Sequence, residues 1–172
     1  RFRCFMDYKK SILLNAFVEY VRSVLSMVEQ DFSYESVFRF LRTGFTEFTR
    51  DEIDRLENYV VAVGLRGYKK WQAVWARKTN RTDEEELAVL NGLRVRFVEM
   101  TESLVFVLKQ RKKTVRDICE AVYRFFVENQ IQEKLKVMEN CFAEKKELAL
   151  AKEYAQIYRI VLELFDKFAE LL

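Results

Sequence analysis

Two residue types are missing from this sequence: it contains no histidine and no proline. Without histidine, Ser-His-Asp and Cys-His nucleophilic systems and histidine-containing metal sites are excluded. Proline and glycine punctuate turns and strands, and the chain has only four glycines. This scarcity predicts long helices joined by short connections.

Motifs for phosphate binding or catalysis are also missing. Residues 64–67 (GLRG) are too short for a GxxxxGK[ST] phosphate loop and are not followed by Lys-Ser or Lys-Thr. The acidic runs at 51–54 and 83–86 fall at predicted helix starts, where the helix dipole already accounts for carboxylates. We therefore predict no catalytic site, no bound cofactor and no metal site within this chain.

Cysteine is scarce as well. Cys4, Cys119 and Cys141 are widely spaced and form no C-x-x-C pair. They indicate neither a zinc site nor a disulfide framework, and we interpret them as small buried hydrophobic residues. The sequence also has no signal peptide and no uncharged apolar run of about 18 residues. We expect a cytoplasmic protein with no membrane partner.

Hydrophobic residues, in contrast, make up 50% of the chain, and fifteen of them are phenylalanines. At 172 residues this is ample for one packed domain. No segment alternates convincingly between apolar and polar residues, whereas helical spacing recurs throughout. We predict an all-α, compact domain of about six to eight helices spanning residues 1–172. The polar loop 76–86 is the candidate position for a break between subdomains.

Capping signals predict where the helices begin and end. Thr49 and Thr82 each precede a glutamate by three residues, which is the capping-box spacing. Gly44 and Gly64 follow apolar helical stretches, where a left-handed residue commonly ends a helix. The longest helix is expected at about 82–110, and the last three at about 114–129, 131–144 and 148–172. The predicted N-caps are Ser11, Ser33, Thr49, Thr82 and Thr114.

Two segments are basic without an interrupting acid, although the net charge of +3 does not by itself imply nucleic acid. The first basic segment, residues 65–81, interleaves cations with Tyr68, Trp71 and Trp75. The second basic segment is residues 109–116. Cations beside aromatic rings can neutralise phosphates and stack on bases. The alternative interpretation is a solvated helix face above two tryptophans buried in the core.

A set of short motifs lies between residues 31 and 71. Residues 31–45 read DFSYESVFRFLRTGF, and residues 50–71 read RDEIDRLENYVVAVGLRGYKKW. In their order and spacing, they resemble the B subunit of the bacterial ATP-dependent helicase/deoxyribonuclease (the Add or Rex type). The resemblance continues in residues 5–12, 113–135 and 151–172, and is weakest at 76–110. The matching elements are Tyr34-Glu35, Val37-Phe38-Arg39, Leu41-Arg42-Thr43-Gly44, Leu56-Glu57-Asn58-Tyr59, Gly64-Leu65-Arg66-Gly67 and Trp71.

The resemblance implies a role for the chain within a larger subunit. The family's B subunit is much longer and resembles a superfamily 1 helicase core without motor function, followed by a nuclease domain. This chain, which opens on Arg1 rather than methionine, would be an internal fragment: the helical, 2B-like insert. The implied partners are the A subunit, in a heterodimer, and DNA. ATP, Mg and an iron–sulfur cluster would lie elsewhere in the parent.

The implied function is that of a non-catalytic accessory domain in double-strand break processing and homologous recombination, which shapes the DNA channel or the subunit interface. The alternative is a free-standing helical protein-interaction module without a DNA role. For Leu56-Glu57-Asn58-Tyr59, a hydrogen-bond network that fixes a helix crossing competes with a DNA contact. The candidate DNA contacts are Arg42, Arg66, Lys69, Lys70, Trp71, Lys112 and Lys113.

Overall fold

The computed structural model describes residues 15–80 and 82–171, and within these residues the only secondary structure besides helices is an isolated bridge between Thr79 and Thr82. The predicted all-α class is confirmed, with a helix count at the upper end of the expected range. The helices are α1 (Ala16–Glu29), α2 (Tyr34–Leu41), α3 (Arg50–Val63), α4 (Tyr68–Gln72), α5 (Glu84–Leu108), α6 (Val115–Glu128), α7 (Ile131–Glu144) and α8 (Leu148–Leu171).

Most of the predicted capping residues are confirmed. The Ser33 hydroxyl accepts a hydrogen bond from the backbone N–H of Ser36 and caps α2. Thr49 opens α3 with a complete capping box, and Thr114 opens α6 with another that uses an aspartate as its acid. Gly64 ends α3 in the left-handed conformation, with φ of 65°. These ends form as predicted because their hydrogen bonds are local in sequence.

Three predicted caps need comment. The cap of α5 is Asp83, not Thr82: the Asp83 carboxylate accepts from the N–H of Glu86 at 2.8 Å, while the Thr82 hydroxyl pairs with that of Thr79. Gly44 is left-handed, with φ of 84°, but lies beyond the C-cap of α2, which is Arg42. Ser11 lies outside the described residues; the described part of α1 starts after an Asn15 cap.

The aromatic residues form two clusters in the core. The first joins α1, α2, α6 and α8 around Tyr20, which stacks on Phe125 with 5.8 Å between ring centroids. The second joins α3, α4 and α5 around Trp71, whose ring lies 4.5 Å from that of Phe97. The first cluster contains Phe17, Tyr20, Phe40, Phe45, Phe125, Phe126, Tyr158 and Phe165. The second contains Phe32, Tyr59, Tyr68, Trp71, Trp75 and Phe97.

The long helix α5 connects the two halves of the domain. It packs against α3, α4 and α6, while α6, α7 and α8 pack on one another. The chain also closes back on its beginning, because the Asn15 amide donates to the Glu153 carboxylate of α8 at 2.6 Å. Within the described ranges, none of the helices has both the length and the apolar composition needed to cross a membrane.

We predict that Tyr20→Phe raises the free energy of unfolding by about 1 kcal/mol, because the buried Tyr20 hydroxyl has no hydrogen-bond partner among the described residues. The matched control is Tyr59→Phe, which removes a 2.9 Å hydrogen bond to the carbonyl of Arg77. This change should lower the free energy of unfolding by about 1 kcal/mol. Urea unfolding measures both values. A destabilised Tyr20→Phe variant would show that this hydroxyl is satisfied in solution.

Candidate nucleic-acid interface

The first basic segment is held against α5 by two side chains of that helix. Asn91 forms a pair of hydrogen bonds with the backbone of Trp75, accepting from its N–H and donating to its carbonyl, both at 2.9 Å. Arg94 donates to the carbonyls of Trp71 at 2.8 Å and Gln72 at 3.2 Å. These carbonyls end the short helix α4, so Arg94 provides them with the partners that the helix itself lacks.

Arg94 is a buried cation whose charge is stabilised by hydrogen bonds to carbonyl oxygens rather than by an ion pair with an acid. Its side chain is in the core, where the residue is only 6% exposed, and no described carboxylate pairs with it. The guanidinium faces the C-terminal carbonyls of α4 and also donates to Asn91 at 3.0 Å. A buried charge is tolerated only where its donors are satisfied, so this arrangement requires α4 to be docked on α5.

The second basic segment reaches the first through Asp31, in the turn between α1 and α2. The Asp31 carboxylate accepts a 2.5 Å hydrogen bond from Lys109, at the end of α5. It also approaches the N–H of Tyr68, at the start of α4, at 3.5 Å. The Lys109 ammonium lies 5.2 Å from the centre of the Tyr68 ring. We call this arrangement of Asp31, Tyr68 and Lys109 the Asp31 clasp.

The clasp explains the second glycine of the GLRG motif. Gly67 has φ of 87°, and a Cβ at this position would lie 3.1 Å from a carboxylate oxygen of Asp31. Asp31 itself has a positive φ of 46°, a conformation that aspartate and asparagine adopt more readily than most residues. The hydrogen bond and the positive charge of Lys109 hold the pKa of Asp31 below its usual value, against a smaller opposing effect of burial; Lys69 adds to the lowering.

A groove of about 760 Å³ lies beside the clasp, between α4, α5 and α6. We call it the α4–α5–α6 groove. Residues from both basic segments line it, and α6 contributes Arg124. Its lining residues are Tyr68, Gln72, Glu102, Ser103, Val105, Phe106, Val107, Lys109, Gln110 and Arg124.

Most of the predicted DNA contacts are at the surface. None of them except Lys113 and Arg42 forms a side-chain hydrogen bond or ion pair with another described residue; Lys113 donates only to the carbonyl of Gln110. Arg81, at the end of the first basic segment, lies outside the described residues. The exposed lysines and arginines among the predicted contacts are Arg42, Arg66, Lys69, Lys70, Lys112 and Lys113.

Two of the predicted contacts have other surroundings. Trp71 is 0% exposed and packs edge-on against Trp75, so its ring has no free face for a base. This favours the core interpretation for both tryptophans. Arg42 donates to Asp54 at 2.7 Å and to Glu57, which ties the end of α2 to α3.

The Leu56-Glu57-Asn58-Tyr59 motif is largely structural. Leu56 is fully buried, and Glu57 accepts hydrogen bonds from Arg42 and, at 2.6 Å, from the Tyr34 hydroxyl of α2. Tyr59 stacks on Trp75 in the second aromatic cluster. Asn58 is exposed, on the opposite side of α3 from the buried residues. These contacts support the interpretation of the motif as a network that fixes the crossing of α2 and α3.

Phe106 and Arg124 line the α4–α5–α6 groove but are not among the contacts predicted from the sequence. Phe106 is 71% exposed, although most phenylalanines of this chain are buried. The signal was present in the helical period, because the buried stripe of α5 passes through Thr101, Leu104 and Val105 and leaves position 106 outside it. Arg124 likewise lies outside the buried stripe of α6.

The described residues contain no group of three or more potential metal ligands among His, Cys, Asp and Glu. Cys119 is half-buried and Cys141 is exposed, which corrects the expectation of buried cysteines, because Cys141 lies on the outer face of α7. Cys4 lies outside the described residues. A chain with three cysteines also lacks the four thiolates of common iron–sulfur clusters, so such a cluster does not fit these residues alone.

Comparison with known proteins gives strong matches to one kind of protein, although no protein-family profile matches. The chain is 42% identical to the B subunit of an ATP-dependent helicase/deoxyribonuclease of Lachnoclostridium phytofermentans, over 98% of its own length and 15% of the relative's. The B subunits of the same name from Clostridium novyi and Caldanaerobacter subterraneus are 37% and 36% identical over 96% and 98% of the chain. The chain thus spans about one-seventh of the relatives it matches. The predicted resemblance is confirmed.

We predict that Arg94→Lys lowers the free energy of unfolding by about 2–4 kcal/mol, because a lysine cannot reach Asn91 and the α4 carbonyls together. The matched control on the same helix is Arg96→Lys. Arg96 is largely exposed and pairs with Glu52, so this change should cost less than about 1 kcal/mol. Equal losses in urea unfolding would contradict a special role for Arg94.

We predict that Asp31→Asn makes the free energy of unfolding less dependent on pH in the acidic range. Because the pKa of Asp31 is lowered in the folded state, the clasp stabilises the fold above the ordinary aspartate pKa of about 4 and loses this effect as the pH falls through the lowered value. Asparagine keeps the left-handed backbone accessible. The carboxylate is well exposed, so the loss at pH 7 should be below about 1 kcal/mol.

Urea unfolding at pH 7 and pH 3 tests this prediction. The difference in the free energy of unfolding between wild type and Asp31→Asn should be smaller at pH 3 than at pH 7. Asp166→Asn is the control, since Asp166 is exposed and forms no ion pair with a described residue. A difference that stays constant between the two pH values would rule out a charge effect at Asp31.

Proposed function

Because this chain belongs to the family of ATP-dependent helicase/deoxyribonuclease B subunits and matches one segment of them, we propose that it is a non-catalytic accessory domain that guides DNA in such a protein. The relatives' name implies a complex with at least one other subunit. In this proposal the partner is the A subunit, which supplies the motor, and the complex processes double-strand breaks for recombinational repair. The domain corresponds to the 2B-like insert and shapes the DNA channel.

The convergence of the two basic segments is the observation that supports this proposal best. They are 28 positions apart in sequence, from residue 81 to residue 109. Folding brings Tyr68 and Lys109 together at the Asp31 clasp. Lys69 also acts electrostatically on Asp31, and in this proposal the cations that follow in both segments extend the contact into one positive surface. Such a surface attracts the phosphate backbone independently of base sequence, as a guiding surface requires.

A second candidate function is a contact with another protein segment, which a different surface favours. A groove of about 790 Å³ runs between α6 and α8, with the exposed side chains of Tyr123 and Val127 along it. Exposed apolar residues beside a groove are typical of protein interfaces. This function would correspond to the subunit-interface role of the accessory domain, or to the alternative of a free-standing protein-interaction module without a DNA role.

We predict that the double substitution Lys112→Glu/Lys113→Glu weakens DNA binding by the 172-residue chain and reduces its salt dependence. For single strands, the slope of log affinity against log salt should decrease in magnitude by about 1.4, at about 0.7 for each lost phosphate contact. The measurement is fluorescence anisotropy with labelled single-stranded and forked duplex DNA over a salt series. Lys69→Glu/Lys70→Glu should act in the same direction.

The matched control is Lys145→Glu/Lys146→Glu. These adjacent lysines are also exposed, but they lie in the connection between α7 and α8, outside the α4–α5–α6 groove. They change the net charge equally, so an equal effect of both double substitutions would indicate nonspecific attraction. Absence of DNA binding by the wild-type chain at low salt would overturn the guiding role and favour the protein-contact function.

A further inference from the structure

Phe106 is an exposed aromatic residue in a charged groove. It lies near the end of α5, is 71% exposed and lines the α4–α5–α6 groove. Its neighbours in sequence, Val105 and Val107, are buried or half-buried. The two tryptophans of the first basic segment are both in the core. Among the aromatic residues of this groove, Phe106 is therefore the one with a ring face available to a ligand, because Tyr68 is also buried.

The charges around Phe106 favour an anionic ligand. Arg124 is exposed and forms no hydrogen bond or ion pair with a described residue. Lys109 lines the same groove, with its charge partly offset by Asp31. Glu102 also lines the groove and opposes an anion there. The second basic segment continues directly from this end of α5 with Arg111, Lys112 and Lys113, which follow the groove in sequence without lining it. Arg116, the last cation of the segment, lines the groove between α6 and α8 instead.

We propose that Phe106 stacks on a base of single-stranded DNA bound in the α4–α5–α6 groove, while Arg124 and the second basic segment contact its phosphates. This inference rests on the proposed DNA-guiding function and specifies the form of DNA and the residue that meets it. Aromatic side chains stack on any base face, which gives binding without sequence preference. A duplex offers no such face within its length, because its bases already stack on one another.

Single-stranded DNA fits this surface better than a protein partner does. A protein-binding aromatic is typically surrounded by other apolar side chains, with charged residues at the rim of the interface. The groove contains the apolar side chains of Val105 and Val107, but it also presents charged and amide side chains along its length rather than only at a rim: Glu102, Lys109, Arg124, Gln72 and Gln110. Cations next to an exposed ring are the combination that single-strand-binding proteins use.

The test measures fluorescence anisotropy of the 172-residue chain with a labelled oligothymidine and with a blunt duplex. Phe106→Ala should weaken oligothymidine binding about tenfold, within the range of base–aromatic stacking. It should leave duplex binding and the salt slope unchanged, since no phosphate contact is lost. On an oligonucleotide of abasic sites, wild type and Phe106→Ala should bind equally. The matched control is Phe168→Ala, which removes an exposed phenylalanine of α8 outside this groove.

Phe106→Trp provides a second readout that does not depend on loss of binding. This variant should bind oligothymidine with the affinity of wild type. The fluorescence of the new indole at position 106 should be quenched by oligothymidine but not by the abasic strand. Unchanged oligothymidine affinity of Phe106→Ala, with DNA binding otherwise intact, would overturn the stacking proposal alone. Equal losses on single-stranded, abasic and duplex DNA would also overturn it. No binding of any DNA by wild type would overturn both this inference and the DNA-guiding function.

Discussion

The position of the basic surface depends on the hydrogen bonds of one buried arginine. Arg94 projects from α5 into the core and donates hydrogen bonds to the last two carbonyls of α4. Asn91, one turn before Arg94 on α5, forms two hydrogen bonds with the backbone of Trp75. Helix α4 has only five residues and cannot be stable alone. Its docking on α5 therefore fixes the direction in which Lys69 and Lys70 leave the surface.

The aromatic residues explain why this short helix can be held so firmly. Trp71 and Trp75 fill the space between α3, α4 and α5, and the indole N–H of Trp75 donates to the carbonyl of Lys70 at 2.9 Å. The two indole rings, which the sequence offered as candidates for base stacking, thus stabilise the backbone of the first basic segment. Packing and surface charge are separated along the chain: Trp71 and Trp75 are buried, and Lys69 and Lys70, which directly precede Trp71, face solvent.

Asp31 places a negative charge at the centre of a positive surface. The carboxylate joins the two basic segments, since it contacts Lys109, just after the end of α5, and approaches the N–H of Tyr68 at the start of α4. Without an acid here, the two basic segments would repel each other at close range. The carboxylate thus offsets the repulsion between Lys109 and Lys69, the two lysines that act on it.

The sequence by itself determined the all-α class, most helix boundaries and the relationship to the helicase/deoxyribonuclease family. These depend on local signals: capping residues such as Thr49 and Thr114 act over three positions, and motif order is read along the chain. Only the tertiary structure decided that both tryptophans are buried and that Lys109 meets Tyr68 at the Asp31 clasp. Trp71 and Phe106 both lie near basic residues in sequence, yet one is buried and the other 71% exposed. The helical period of α5 already leaves Phe106 outside the buried stripe, whereas the burial of Trp71 arises from how α3, α4 and α5 pack together, and such long-range packing leaves no local pattern in the sequence.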